Sequence, residues 1–414
     1  MSSFQVSVTG RDNRRADMDW MRVTAFALLV PFHAAVLFEP QPIPQMASPT
    51  SSPALAAFDA FLHLFRLALL FLVSGMGVRF ALKRRSSREY LRDRSVRLLL
   101  PLLFGVLVLV PPMVYLEALY NERFVGNLWE FYGLYWCSGI YPEGFVSWHH
   151  FWFIAYLYLF CLITRKWFFQ LLHSPSIRFR RWVMLAKSSS NLYAFALILL
   201  VVEIVLRPVF PGFRNLVADW ASFAHWLLFF IAGFVFALNP DLLLRVRALR
   251  HRSLVLACCS TLGLFLQFYS VEKWTFVVAT EITAKNAVYF ILFSAFRVFS
   301  TWCWVLTCVG YSVKYLTQDS RLLRELNRAV FPMYCLHLPF LLFWAYHVLP
   351  TGLSVSGKFL CVVIGTYASL AAAYPLVRAL PPWAGALIGW RSPSALSSRN
   401  VRSGRFPPVS GRQS

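Results

Sequence analysis

Charged residues are scarce in this chain, and their scarcity decides its class. Only 14% of the 414 residues are charged, whereas 58% are hydrophobic and 17% are aromatic. A soluble globular protein needs a polar surface that this composition does not supply, so soluble classes are excluded. Acidic residues are especially few, with 18 Asp and Glu against 40 Lys and Arg, and the net charge is +22.

The chain also lacks the motifs of several enzyme classes. It has no HExxH, GxSxG, Walker loop or GxGxxG, so zinc hydrolases, serine hydrolases and nucleotide-binding folds receive no support. The eight cysteines form no CxxC, and no Cys/His cluster has metal-ligand spacing. We therefore expect packing cysteines and no metal site.

The chain is rich in apolar segments, most of which match the length of about 17 to 25 residues that crosses a bilayer as a helix. There are ten of them, at 20–38, 58–82, 98–118, 150–164, 192–210, 222–238, 253–271, 286–308, 329–349 and 358–380. They predict an all-α polytopic membrane protein with about ten transmembrane helices embedded in a lipid bilayer.

The distribution of Lys and Arg predicts the orientation. If the N-terminus is cytoplasmic, thirty of the forty lie in inner segments, six in outer segments and four within the spans. This asymmetry predicts that both termini are cytoplasmic, N-in and C-in. We interpret the net charge as topology and expect no nucleic-acid partner. Residues 1–17 and 386–414 are expected to be disordered, basic cytoplasmic tails around a transmembrane domain at 18–385.

The first apolar segment carries the clearest functional signal, because Arg22 and His33 lie eleven residues apart in it. At about 100° per residue the two side chains share one helix face, about 16 Å apart along the axis. Ionisable groups in hydrocarbon cost a few kcal/mol or more, so we predict that both line one functional cavity. Asp19 is spaced to pair with Arg22, and Pro31 should bend the helix beside His33.

A neutral histidine at this depth can take a proton from a hydroxyl and return it, so His33 is a candidate catalytic base. The alternative is a histidine that is hydrogen-bonded between helices. Arg94 and Arg97 lie one helical turn apart at the predicted cytoplasmic edge, where guanidinium groups suit a phosphate-bearing ligand. For these arginines the alternative is anchoring to anionic lipid.

Other polar residues in the spans are weaker candidates. His150 and Trp152 could bind a sugar near the outer edge, although tryptophan there is also a common interface anchor. Glu203 can pair with Arg207 in a structural or a functional role. His337 is either satisfied in the core or lines the acceptor path. Two arginines without a local acid should face the bundle interior, namely Arg66 and Arg297.

Five segments together resemble the acyltransferase-3 family of membrane-bound bacterial O-acyltransferases. They come in the family's order, and they are MDWMRVTAFALLVPFHA, the stretch from His63 to Gly75, Arg94-Ser-Val-Arg97, His150-Phe-Trp-Phe153 and Phe331-Pro-Met-Tyr-Cys-Leu-His337. One departure is Ala68, at a place where many members have proline.

The resemblance implies a bacterial inner-membrane enzyme that moves an acetyl or succinyl group. The donor is a cytoplasmic acyl-CoA, and the acceptor is a hydroxyl of an extracytoplasmic or lipid-linked glycan; the nearest branches modify periplasmic glucans. Acyl-CoA is then a co-substrate, and no permanently bound cofactor is expected. We assign His33 as base, Arg94 and Arg97 to the donor phosphates, and Arg22 to the path between them. The candidates for substrate binding are Asp19, His63, Arg66, His150, Trp152, Glu203 and His337.

Two other classes remain as alternatives. A secondary transporter of a small envelope precursor should show repeat symmetry and paired broken helices, and no internal repeat is found in the sequence. A structural or assembly subunit should tolerate the loss of both Arg22 and His33.

Overall fold

The protein is described here by a computed structural model covering residues 15–40, 46–83, 85–141, 143–186, 188–212, 215–269 and 287–390. Within these ranges every regular element is helical, so the prediction of an all-α polytopic membrane protein is confirmed. The first helices are α1 (Ala16–Ala27), α2 (Leu29–Val36), α3 (Pro53–Leu82), α4 (Ser87–Phe104), a π-helical segment (Gly105–Leu109), α5 (Val110–Tyr120) and α6 (Leu128–Cys137). After a short 3₁₀ turn (His149–Phe151) come α7 (Trp152–His173), α8 (Ile177–Ala186), α9 (Ser189–Leu206), α10 (Trp220–Leu238), α11 (Pro240–Ala248), α12 (Arg250–Tyr269), α13 (Ala287–Tyr315), α14 (Arg321–Val348), α15 (Val355–Ala379) and α16 (Pro382–Leu387).

Seven helical stretches in the described part of the chain are long and apolar enough to cross a membrane. An eighth span results if α11 and α12, which meet at a bend of 62°, are counted as one. The other two predicted spans fall on the short helices α1 and α2 and on the shorter apolar helix α9. The count of ten and the cytoplasmic location of both termini therefore stay predictions.

The first predicted span is broken at Leu28, not bent beside His33 as expected from Pro31. Proline has no backbone N–H, so Pro31 leaves the carbonyl of Ala27, four residues earlier, without its helical donor. The hydroxyl of Tyr367 on α15 donates a hydrogen bond to this carbonyl instead. The break therefore lies about one turn before the proline, and His33 sits within the regular helix α2.

Helix α3 packs directly against α10 through two glycines. A Cβ atom on Gly75 would lie 1.9 Å from the carbonyl oxygen of Phe230, and one on Gly233 would lie 1.9 Å from that of Leu72. Only glycine allows two helix backbones to approach this closely. Because α3 also contacts α1, α2 and α13, this packing places Arg66, which is 2% exposed, in the interior of the bundle.

The π-helical segment between α4 and α5 receives the aromatic ring of Phe151. A Cβ atom on Gly105 would lie 2.3 Å from this ring, so the glycine is required for the contact. Single-turn π segments are frequent at functional sites in proteins. Here the segment seats the His149–Phe151 turn, which begins α7 and carries two histidines.

The folded region is slightly longer than the predicted transmembrane domain. Helix α1 begins at Ala16, inside the predicted tail 1–17. At the other end Ile388 and Trp390 are 7% and 4% exposed and pack with Val377, so the fold continues past the predicted boundary at 385. The remaining parts of the predicted tails, 1–14 and 391–414, lie outside the described residues.

Candidate active site

A strongly basic cavity of about 870 Å³ opens at the end of the bundle where α1, α4 and α14 begin. This is the end that the Lys and Arg distribution predicts to face the cytoplasm. Two of its lining side chains are acidic, Asp19 and Asp319, whereas seven are basic: Arg15, Arg22, Arg79, Lys83, Arg94, Arg97 and Arg324. Such an excess of positive charge in a cleft attracts and concentrates anionic ligands.

Arg22 is held at the cavity wall by two neighbours. Its Nη1 lies 3.5 Å from Oδ1 of Asp19 and donates to Oδ1 of Asn327 at 3.0 Å. The Nδ2 group of Asn327 also donates to Oδ1 of Asp19 at 2.9 Å, which closes a three-membered polar network. The predicted pairing of Asp19 with Arg22 is thus present. The network orients the guanidinium without covering it, since the Arg22 side chain stays 28% exposed.

Arg94 and Arg97 both line the cavity from α4. The start of this helix is set by a capping box, in which the side chain of Ser86 and that of Glu89 each accept from the other residue's backbone N–H. The cap fixes the helix register, and with it the face that the two arginines share. Arg94 also lies over the ring of Tyr90, with 5.2 Å between its Cζ and the ring centroid.

The deep end of the cavity is aromatic, with Phe26, Phe153 and Tyr334 among its lining residues. The ring of Tyr334 lies 5.1 Å from that of His150 and 5.7 Å from that of His337, measured between centroids. Its hydroxyl donates to the backbone carbonyl of His150. Tyr334 therefore separates the basic cavity from a group of histidines behind it.

Four histidines from four different elements make up this group, which we term the histidine cluster: His33, His63, His150 and His337. The ring of His337 lies 5.5 Å from that of His33 and 4.9 Å from that of His150. The centroid of the Phe32 ring lies 4.9 Å from that of His33 and 5.6 Å from that of His63. The Cζ atom of Arg66 lies over the same ring, 3.3 Å from its centroid.

The hydrogen-bonding state of His337 follows from its neighbour. Its Nδ1 lies 2.6 Å from the carbonyl oxygen of Tyr334, and because a carbonyl only accepts, Nδ1 carries a hydrogen. Its Nε2, which is an acceptor when the ring is neutral, is buried and without a hydrogen-bond partner among the described residues. Among all the residues that the structure describes, no three His, Cys, Asp or Glu side chains are arranged to hold a metal ion.

The spacing of Arg22 and His33 predicts that both line one cavity, but of the two only Arg22 is among the residues that line the basic cavity. Arg22 faces the basic cavity, whereas His33 is absent from its lining and contacts His337. The helix break at Leu28 lies between them, so their relation is not that of one straight helix. The connection from the cavity to His33 runs through Tyr334 and His337.

Glu203 lies in a separate ion network and not among the residues of the cavity or the histidine cluster. Its carboxylate accepts from Arg207 at 2.9 and 3.1 Å, as the spacing predicts. Arg297, which has no acid nearby in sequence, pairs with the same carboxylate at 2.5 Å. Nδ1 of His225 lies 3.1 Å from it. The structure thus joins α9, α10 and α13 around one fully buried carboxylate.

Trp152 is not placed as a sugar platform. Its side chain is 7% exposed, and its ring packs edge-on against Tyr156 at 5.3 Å. It lines neither the basic cavity nor the histidine cluster.

Comparison with known proteins then identifies the chain's relatives. The family described as an acyltransferase domain, the acyltransferase-3 family, matches residues 15–378. The chain belongs to the acyltransferase-3 family. It is also similar to the glucans biosynthesis protein C of Salmonella heidelberg (strain SL476) and of Salmonella agona (strain SL483). Each is 22% identical over 356 residues, which cover 84% of this chain and 87% of the relative. No solved structure matches the chain.

This acyltransferase-3 protein is therefore a membrane acyltransferase, and its geometry adds residues that sequence reasoning missed. Asn327 had no signal, because an asparagine near the start of a helix is unremarkable in sequence. Tyr334 had one, since it lies in the Tyr-x-x-His segment and shares a helix turn with His337. The cavity cations Arg15, Lys83 and Arg324 were counted only as topology residues, although their positions at the predicted inner edge were compatible with a ligand.

Proposed function

We propose that this acyltransferase moves an acyl group, acetyl or succinyl, from cytoplasmic acyl-CoA to a hydroxyl of an extracytoplasmic or lipid-linked glycan. The observation that carries this proposal is the contact of Tyr334 with both sites: it lines the basic cavity and touches two members of the histidine cluster. An anionic donor and a proton-accepting group are thereby brought to opposite sides of one aromatic side chain.

The donor fits the basic cavity in charge and in size. Coenzyme A carries phosphate groups, and guanidinium groups bind phosphates through paired charge-assisted hydrogen bonds. Arg94 and Arg97 are assigned to these phosphates, and the volume of about 870 Å³ lies within the usual range of small-molecule sites. Arg22, deeper on α1, then contacts the donor between its phosphates and its thioester.

The transfer needs one proton to move from the acceptor to the leaving group. The acceptor hydroxyl gives its proton to the imidazole of His33 while its oxygen attacks the thioester carbonyl carbon. The C–S bond then breaks, the new ester forms, and the proton passes from the imidazole to the coenzyme thiolate. His337 contacts His33 and presents an acceptor nitrogen, so it can keep the orientation of the base or share this proton.

The acceptor is proposed from the relatives, which are named for glucan biosynthesis. A glucan offers many hydroxyls and no strong nucleophile, so a positioned base is needed for its acylation at neutral pH. Because the described part of the chain contains seven or eight helical stretches that can cross a membrane, a donor on one side can serve an acceptor on the other. We place the enzyme in the bacterial inner membrane.

Transfer from labelled acetyl-CoA and succinyl-CoA to glucan, by the purified protein in lipid nanodiscs, tests the proposal. His33→Ala should lower the rate by about 10² to 10⁴, the usual contribution of a positioned base. Binding of acyl-CoA should persist in this variant, because His33 does not line the donor cavity. His173→Ala, which changes an exposed histidine of α7, is the matched control.

Two results contradict the proposal. Full transfer by His33→Ala at a normal protein level shows that His33 is not the catalytic base. Counterflow of a solute without any acyl transfer by the wild type identifies a transporter.

A further inference from the structure

A second pair of ionisable groups lies at the other end of the bundle, away from the basic cavity. Glu117 is near the end of α5, twenty residues after Arg97, which is about 30 Å along this nearly continuous helix. Oε2 of Glu117 lies 3.5 Å from Nε2 of His149, and their side chains are 7% and 5% exposed. The assignments made above use neither residue.

The carboxyl group of Glu117 is only partly satisfied. Its Oε1 atom is buried and has no hydrogen-bond partner among the described residues. The contact of Oε2 with His149 is long for a hydrogen bond. Buried polar atoms are nearly always paired, so an acceptor oxygen in this state indicates a missing donor.

The backbone of His149 points to the same place. Its φ angle is +42°, in the left-handed region that residues other than glycine rarely adopt. Strained backbone of this kind concentrates at binding and catalytic sites. The conformation turns His149 towards Glu117, while the next residue, His150, enters the histidine cluster. One peptide bond therefore joins His149, the partner of Glu117, to His150 of the histidine cluster.

The surroundings of the pair suit a polyhydroxyl ligand. Burial raises the pKa of Tyr141 to about 12, so its hydroxyl keeps its proton at neutral pH and can donate. Helix α6, which precedes the Tyr141 loop, exposes the aromatic side chains of Trp129 and Trp136, at 81% and 45%. Exposed aromatic side chains can stack against a sugar ring, and carboxyl, imidazole and phenol groups can bond its hydroxyls.

We propose that Glu117 and His149 form a hydroxyl-binding subsite for the saccharide acceptor. Oε1 of Glu117 accepts a hydrogen bond from one sugar hydroxyl, and His149 bonds that hydroxyl or its neighbour. The subsite holds the acceptor next to His150 and thus beside the cluster in which the reacting hydroxyl meets His33. The inference rests on the proposed function and names where its acceptor binds.

Substitution of Glu117 tests the subsite through the two Michaelis constants. Glu117→Gln keeps the size of the side chain but replaces the carboxyl group with an amide. The KM for the glucan acceptor should rise about tenfold, as expected for a lost hydrogen bond, and the KM for acyl-CoA should stay unchanged. Glu122→Gln, which changes an exposed carboxylate five residues away, should change neither constant.

Substitution of His149 separates the imidazole from the backbone. His149→Gly removes the ring and tolerates the φ angle of +42° without strain. The glucan KM should again rise about tenfold, and the double variant with Glu117→Gln should be less than additive, because both side chains bond one ligand. An unchanged glucan KM in His149→Gly or in Glu117→Gln overturns the subsite.

Saccharide binding without transfer keeps this test independent of the enzymatic proposal. A gluco-oligosaccharide should raise the midpoint of thermal unfolding of the wild type and of Arg94→Gln, but not that of Glu117→Gln. Equal shifts in the three proteins, or none in the wild type, overturn the subsite. A shift that depends on Glu117 in a protein that transfers no acyl group retains the subsite and refutes only the enzymatic function.

Discussion

The ion network around Glu203 gives a sharp prediction about stability. This carboxylate is fully buried and is shared by Arg207 and Arg297, with His225 in contact. Glu203→Gln preserves the size of the side chain but leaves two guanidinium groups around a neutral amide. We expect a large loss of stability and little change in the activity of each folded molecule, because Glu203 does not line the cavity.

The size of the loss follows from the burial of the carboxylate. Removing one partner of a buried ion pair typically destabilises a protein by about 3 to 5 kcal/mol, since the remaining charge is left uncompensated. At about 2 °C per kcal/mol for a long chain, the midpoint of thermal unfolding should fall by roughly 6 to 10 °C. Glu203→Gln combined with Arg297→Gln should recover part of this fall. Arg207 keeps its hydrogen bond of 3.0 Å to Ser222 in that double variant.

The assay is thermal unfolding of the purified variants in one detergent, followed by intrinsic fluorescence at one heating rate. Acyl transfer is measured below the transition and divided by the folded fraction. Glu122→Gln, an exposed carboxylate, serves as the control for charge removal. A midpoint for Glu203→Gln within about 1 °C of the wild type would refute the reasoning, since surface substitutions give effects of that size. A double variant less stable than Glu203→Gln would refute the assignment of Arg297 as its partner.

Three further predictions concern packing, the donor and the connection to the histidines. Gly75→Ala should reduce the yield of folded protein and its unfolding midpoint, because the new Cβ lies 1.9 Å from a backbone oxygen of α10. Gly77→Ala, whose Cβ would lie 3.7 Å from Arg22, should unfold at the same temperature as the wild type. Equal unfolding midpoints for the two variants contradict the packing. Arg94→Gln should raise the KM for acyl-CoA about tenfold and make this constant less sensitive to salt, with the glucan KM unchanged, because it removes one of the proposed phosphate contacts. An unaltered salt dependence would show that Arg94 is not part of the donor site. Tyr334→Phe should lower kcat about tenfold without changing the KM for acyl-CoA, because it deletes only the hydrogen bond to the carbonyl of His150. If the KM for acyl-CoA changes and kcat does not, Tyr334 acts in donor binding instead.

Local spacing predicted the contacts that form within one helix. Asp19 pairs with Arg22, Arg94 and Arg97 share the cavity wall, and Glu203 binds Arg207. Each pair is separated by three or four residues, which brings side chains to the same helix face whatever the rest of the fold does.

Spacing over longer distances was less informative. The eleven residues between Arg22 and His33 predicted one shared cavity, but the helix break at Leu28 intervenes, and only Arg22 reaches the cavity. The carbonyl of Ala27 that Pro31 leaves without a helical donor accepts instead from Tyr367, a residue of another helix. The sequence of one helix alone cannot predict such a partner on another helix.

The sequence by itself determined the class of this protein, because its apolar composition and repeated spans leave helices in a membrane as the stable arrangement for the backbone. It also determined the family through short motifs in a characteristic order. Only the tertiary structure decided which distant side chains meet: Asn327 with Asp19, Arg297 with Glu203, and four histidines from separate elements in one cluster. The physical reason is that helix periodicity fixes the direction of each side chain within its own helix, whereas partners on other helices depend on how the bundle packs.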